Sequence, residues 1–184
     1  MIGNDIIDLS LAKTASNWQR KGFLEKQFTA NEQQLILEAP NSFVMVWRLW
    51  SMKEAAYKIY TQQNIVRFFA PKKFECKLRS AKEGVVCFKG QKFYTSSLIN
   101  QRYILTKASL EKEISAYSEM APPHEIDNMI KKKLKELTAL SVSRIEQKKS
   151  KNGAPNYYHN ETPLTRSCSI SHHGNYGVFS FVQV

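Results

Sequence analysis

Near the start of the chain, "GNDIID" (residues 3–8) sets two acids three apart, Asp5 and Asp8, beside a glycine. Some forty residues on, "FVMVWRLWSMKEAAYK" (43–58) has the apolar density of a core helix, yet Lys53, Glu54 and Lys58 interrupt it. Glu54 and Lys58 lie one helical turn apart, so they can form an i,i+4 pair, worth about 0.3–0.5 kcal/mol if exposed. Trp47, Trp50 and Ser51 share that face and argue against an open, solvated pair. The same residues allow a second chemistry. A carboxylate from a strand and one from a helix can converge on a hard cation such as Mg²⁺, which takes one or two carboxylates plus water and phosphate oxygens. Neighbouring lysines would then neutralise those phosphates.

The elements that would carry these side chains can be read from pattern. Residues 2–9 form a short β-like run. An offset of three along a strand turns Asp8 to the face opposite Asp5, so Asp8 is expected to be structural. Ser16 is placed to cap a helix reaching about Gln27. Thr29 and Glu32 have capping-box spacing for a helix that Pro40 ends. The long helix is expected over roughly 43–62. Four strand-like runs follow, "KFECKLR", "GVVCFKG", "KFYTSS" and "RYILTKA", separated by glycine or polar turns. The prolines of "MAPPHE" (120–125) mark the internal boundary, giving modules 1–120 and 121–184. An amphipathic helix then carries Ile126, Met129, Ile130, Leu134 and Leu137 on one stripe. "SVSRIEQ" reads as a strand, "KNGAPN" as a turn, and the C-terminal stretch as a turn followed by a buried strand. The order predicts an α+β fold of two related small modules, antiparallel sheets with packed helices.

Composition narrows the class. The chain is 42% hydrophobic and 23% charged, has a net charge of +11 and a mean hydropathy of −0.43. No apolar run suits a membrane span, and the acidic N-terminus does not read as a signal peptide. Three scattered cysteines, Cys76, Cys87 and Cys168, argue for a reducing, cytoplasmic setting and against a disulfide frame or zinc site. The charge is uneven: residues 1–58 carry 7 basic and 6 acidic side chains, while 128–151 carry 8 and 2. Such a balance fits an acidic partner. No nucleic-acid-binding signature accompanies it, so no nucleic acid is expected. The basic helix "IKKKLKE" reads either as a solvated face or as a dock for an acidic protein.

Three motifs occur in order: "GNDIID" (3–8), "FTANE" (28–32) and "WSMKEAAYK" (50–58). Together they resemble the 4′-phosphopantetheinyl transferase superfamily, whose pattern is G-x-D-x-x-D, F-[ST]-x-x-E and W-[SA]-x-K-E-[AS]-x-x-K. Near the C-terminus, "GAP" (153–155) and "SISHHG" (169–174) resemble the family's coenzyme-A-contacting G-K-P and S-H-S-G segments. The resemblance implies transfer of 4′-phosphopantetheine from coenzyme A to a serine of an apo acyl or peptidyl carrier protein, as in fatty acid biosynthesis. It implies Asp5 and Glu54 as ligands of Mg²⁺ or Mn²⁺, with Lys58 and Lys53 on the pyrophosphate. Glu32 is either the base or only a helix cap. Ser171 and His172 would reach coenzyme A phosphates, His173 would be plain surface, and Gly153 and Pro155 would shape the adenine edge. The family lysine of G-K-P is Ala154 here, leaving that phosphate contact absent or supplied by Arg144, Lys149 or Lys151.

Metal module first and S-H segment last is the order of the short holo-acyl-carrier-protein synthases, which are trimers. Yet 94 residues separate Lys58 from Gly153, far more than that type needs. The implied reading is a rearranged relative of the fused, surfactin-synthetase-activating type: a monomer with an internal pseudo-dimer, with a homotrimer as the alternative. A catalytically inactive relative that binds coenzyme A or carrier protein is the rival function.

Overall fold

The computed structural model describes residues 1–64, 68 and 70–184. The chain begins with strand β1 (Ile2–Asp8) and continues through helices α1 (Leu9–Ala15), α2 (Phe23–Gln27), α3 (Ala30–Glu38) and α4 (Ser42–Gln63). Strands β2 (Glu75–Leu78), β3 (Glu83–Phe88), β4 (Gln91–Ile99) and β5 (Tyr103–Ser109) follow. With β1 they make a five-stranded sheet in the order β1-β5-β4-β3-β2. The remainder holds β6 (Tyr117–Ala121), α5 (Ile126–Thr138), β7 (Glu146–Lys149), β8 (Pro155–His159), β9 (Thr162–Pro163), β10 (Thr165–His173) and β11 (Tyr176–Gln183). These strands form two three-stranded sheets, β10-β11-β6 and β7-β8-β9. The fold is α+β, and every strand pair among the described residues is antiparallel. No helix among them is long and apolar enough to cross a membrane.

Two apolar clusters form the core. The first, drawn from residues 7–108, is α4 laid on the five-stranded sheet, with Leu49, Met52, Ala55, Ala56 and Ile59 wholly buried. The second, drawn from 121–181, sets Ile126, Ile130 and Leu134 of α5 against Phe179 and Phe181 of β11. The heptad-like spacing of α5 produces that stripe; Leu137, expected on it, is exposed instead. Because β6 pairs with β11, residues 117–121 belong with the second sheet.

Several expectations are corrected. The helix expected over 16–27 is reduced to α2, and a separate helix, α1, precedes it. Asp8 starts α1 early, its Oδ1 accepting from the amides of Ser10 (3.0 Å) and Leu11 (3.2 Å), and Ser16 ends it. Gly22, at φ 80°, then turns the chain into α2. In "SVSRIEQ" the segment Val142–Arg144 is a 3₁₀ turn, and the strand begins at Glu146. "SCSISHH" is not a turn but lies wholly in β10, paired with β11 across a tight hairpin at Gly174. Alternating serine and apolar residues there satisfy the two-residue period of a strand with two different faces.

β1 is enclosed on every side. One edge pairs with β5. The amides on its other edge, those of residues 2, 4, 6 and 8, are taken not by a backbone ladder but by side chains of β10. Ile2 donates to Ser167 Oγ (2.9 Å), Asn4 to Ser169 Oγ (2.9 Å), Ile6 to Ser171 Oγ (3.3 Å) and Asp8 to His173 Nδ1 (2.9 Å). A strand edge with open donors is a liability, and this comb of side chains closes it. Asn4, with no exposed surface, locks the register further: its Nδ2 donates to Ser169 O and Ser180 Oγ, and its Oδ1 accepts from Ser169 Oγ.

Candidate active site

The site begins with a close approach. A Cβ on Gly3 would stand 2.1 Å from the Ala55 carbonyl oxygen, so only glycine lets β1 lie so near α4. Two residues along, Asp5 therefore meets α4 at Glu54 and Lys58. Asp5 is 7% exposed. Its Oδ1 accepts from Ser171 Oγ at 3.0 Å and faces Lys58 Nζ at 3.5 Å, while Lys58 also donates to the Asn4 carbonyl at 2.8 Å. Its Oδ2 is buried with no hydrogen-bond partner among the described residues.

Electrostatics fit that picture. Burial pushes the Asp5 carboxyl upward, against the pull of Lys58, Ser171 and His173. The Glu54 carboxyl is raised to about 7, by burial first and then by the negative charge of Asp5, with Lys58 opposing. Two carboxylates, both pushed upward by burial and one with an orphan oxygen, form a donor set suited to a hard divalent cation. No cluster of three histidine, cysteine or acidic side chains suited to a metal occurs among the described residues, so the remaining ligands would be water and phosphate, as Mg²⁺ prefers.

Glu54 and Lys58 open onto a groove of about 260 Å³. One wall is α4 from Glu54 to Gln62; the other is the 152–155 turn with Cys168, Ser169 and Ile170 of β10. Residues far apart in the sequence, Gly153 and Pro155 included, thus share one cleft with Glu54 and Lys58, while Asp5 lies behind them, in contact with Lys58. Larger hollows, of about 380, 770 and 1070 Å³, lie elsewhere and contain none of the expected site residues. Ser171 touches Asp5 directly, whereas His172 stands exposed on the other face of β10. His173, expected to be plain surface, holds the Asp8 amide instead. Arg144, Lys149 and Lys151 are not among the groove-lining residues, and Ala154 lines it without a charge.

Glu32 and Lys53 lie elsewhere. They form a buried ion pair, 0% and 1% exposed, with Lys53 Nζ 2.8 Å from each Glu32 oxygen. Glu32 also accepts from the amides of Thr29 (2.8 Å) and Cys76 (2.7 Å), and Lys53 donates to the carbonyls of Pro71 (3.1 Å) and Phe74 (2.6 Å). The capping box is complete in both directions. With its oxygens saturated by donors and closed to solvent, Glu32 has no room for a substrate proton, and Lys53 has no exposed nitrogen for a pyrophosphate. Both expected roles are corrected to a structural one: the pair ties α3 and α4 to β2.

The serine comb of β10 and Asn152 escaped sequence reading, although the alternation S-x-S-x-S from 167 to 171 was a signal of a one-faced strand. Asn152 carries no such local signature.

A family model of the 4′-phosphopantetheinyl transferase superfamily matches residues 1–108, more than half of the chain. The chain belongs to that superfamily. No curated protein matches it. The matched span of this transferase-superfamily chain contains β1, α4 and the whole Asp5–Glu54–Lys58 cluster. It ends inside β5, so the second wall of the groove, from Asn152 to Ile170, lies outside the match.

Proposed function

We propose that the protein transfers the 4′-phosphopantetheine group of coenzyme A to a serine of an apo acyl or peptidyl carrier protein, releasing adenosine 3′,5′-bisphosphate. The observation that carries this reading is Glu54 and Lys58, backed by the buried Asp5 carboxylate, opening onto a groove whose far wall holds Gly153 and Pro155. Asp5 Oδ2 and Glu54 would hold Mg²⁺ or Mn²⁺, which supplies charge neutralisation at the pyrophosphate. Lys58, fixed by the Asn4 carbonyl, offsets the phosphate oxygens that gain charge in the transition state. Ser171 holds Asp5 in its rotamer, leaving Oδ2 free. The carrier serine oxygen bonds to the β-phosphorus as the pyrophosphate P–O bond breaks. The leaving bisphosphate keeps that electron pair, and the hydroxyl proton is released to water in the open groove. His172, exposed beside the groove strand, is assigned to the outer phosphate of coenzyme A.

We place the division of the chain between Ser109 and Tyr117, a few residues before the prolines, with the metal module first and the coenzyme-A module second. The comb closing the β1 edge supports one chain building the whole site, hence a monomer rather than a trimer. Intact-protein mass spectrometry of an apo carrier protein, incubated with this protein, coenzyme A and Mg²⁺, tests the reading. A metal-dependent gain of one phosphopantetheine is expected, lost in Glu54→Ala with the fold retained. Coenzyme A binding without transfer to any of several carriers would instead mark an inactive relative.

A further inference from the structure

Asn152 sits at the hinge between the two walls of the groove. It is 8% exposed. Its amide nitrogen donates to the Thr61 and Asn64 carbonyls, both at 2.6 Å. These belong to the last turn of α4 and to the residue that caps it, where carbonyls have no intrahelical partner and need donors from elsewhere. Both amide hydrogens are therefore used, and the side-chain orientation is fixed, because a flipped amide would turn its oxygen against two carbonyl oxygens. The oxygen that remains, Asn152 Oδ1, is buried and has no donor among the described residues.

The turn that presents it is stiff. Ser150 donates to the Ala154 carbonyl (2.9 Å), Gly153 donates to the Ser150 carbonyl (2.8 Å), and Ala154 donates to Ser150 Oγ (3.1 Å). Gly153 takes φ 80°, where side chains are strained. Asn152 lines the groove and carries, just beneath its surface, a buried acceptor without a donor, an arrangement that calls for an explanation.

We propose, resting on the function above, that Asn152 is a specificity-determining residue of the coenzyme groove: its nitrogen fixes the turn to α4, and its Oδ1 accepts an N–H of the bound coenzyme. Coenzyme A offers two such sources, the exocyclic amine of adenine and the amides of the pantetheine arm. A site built to accept an N–H rejects an analogue lacking it, because the acceptor stays buried and unpaired.

Calorimetric binding, with Mg²⁺ present, compares coenzyme A with two analogues: one carrying hypoxanthine in place of adenine, the other an ester in place of a pantetheine amide. Wild type is expected to bind one analogue about tenfold or more weakly than coenzyme A. In Asn152→Ala that gap closes to about onefold, and which analogue shows it names the donor. Asn152→Ser goes through the same comparison if the alanine variant fails to fold by circular dichroism. Equal affinity of wild type for all three ligands, or an undiminished gap in the variants, overturns the role of Asn152 and leaves the transferase reading standing. Failure of wild type to bind coenzyme A at all overturns the transferase reading, and this inference with it.

Discussion

The buried Glu32–Lys53 pair separates a structural reading of Glu32 from a catalytic one. Glu32→Gln keeps the shape but removes the charge that Lys53 answers, leaving an ammonium 1% exposed with only neutral oxygens around it: the carbonyls of Pro71 and Phe74 and the glutamine Oε1. It also puts an NH₂ where one carboxylate oxygen now accepts from Thr29 or Cys76. Breaking one partner of a buried pair costs about 3–5 kcal/mol, because the surviving charge stays desolvated. For a chain of this length each kcal/mol lowers Tm by about 2–4 °C, so a fall of roughly 6–20 °C is expected. Lys53→Met should cost a similar amount. The double variant should cost well below the sum, since neither charge is then stranded, although one of the Thr29 and Cys76 amides loses its acceptor. Thermal unfolding gives the stabilities, and carrier-protein mass spectrometry well below the variant's Tm gives the activity. Reduced stability with phosphopantetheine transfer largely kept is the expected pattern. A Glu32→Gln protein as stable as wild type but unable to transfer would refute the structural assignment and restore Glu32 as the base.

Other outcomes follow from the same geometry. Glu54 has its carboxyl raised to about 7 in the fold against an ordinary value of 4.5, so the folded state holds the extra proton. Without a divalent cation, stability should therefore fall as pH rises from about 4.5 to 7; Mg²⁺ competes with that proton and should flatten the fall and bind more tightly up to about pH 7. Tm against pH, with and without Mg²⁺, reads both, and a Tm profile that Mg²⁺ leaves unmoved at pH 8 would contradict the metal site. Gly3→Ala should drive β1 from α4, costing about 1–3 kcal/mol and weakening Mg²⁺ binding, because its Cβ meets the Ala55 carbonyl; unchanged metal affinity would show that the approach does not set the carboxylate pair. Ser169→Ala strands the Asn4 amide and Asn4 Oδ1 in a dry interface, so denaturant unfolding should show a loss of about 1–3 kcal/mol; a neutral result would mean that the comb does not hold β1.

Part of this site was legible from local rules. A strand period of two set Asp5 and Asp8 on different faces, and the structure uses them so, one toward α4 and one as the α1 cap. The capping box of Thr29 and Glu32, the limits of α4 within a residue and the apolar stripe of α5 depend on neighbours three or four positions away, which the sequence displays. The separation of Lys53 from Lys58 was also readable: five residues at about 100° each put them roughly 140° apart on the helix. They cannot serve one pyrophosphate, whereas Glu54 and Lys58, about 40° apart, can share a cleft.

Tertiary structure alone decided the rest. Which of two lysines is buried against an acid and which faces a groove depends on what covers each face of α4, and those partners come from α3 and β1. The β1 comb joins residues 165 apart, and the Asn152 latch reaches about 90 residues back to α4. No local period encodes such contacts. They exist because buried amides and carbonyls must find partners once two cores have packed together, and the partner is whichever polar side chain that packing brings within reach.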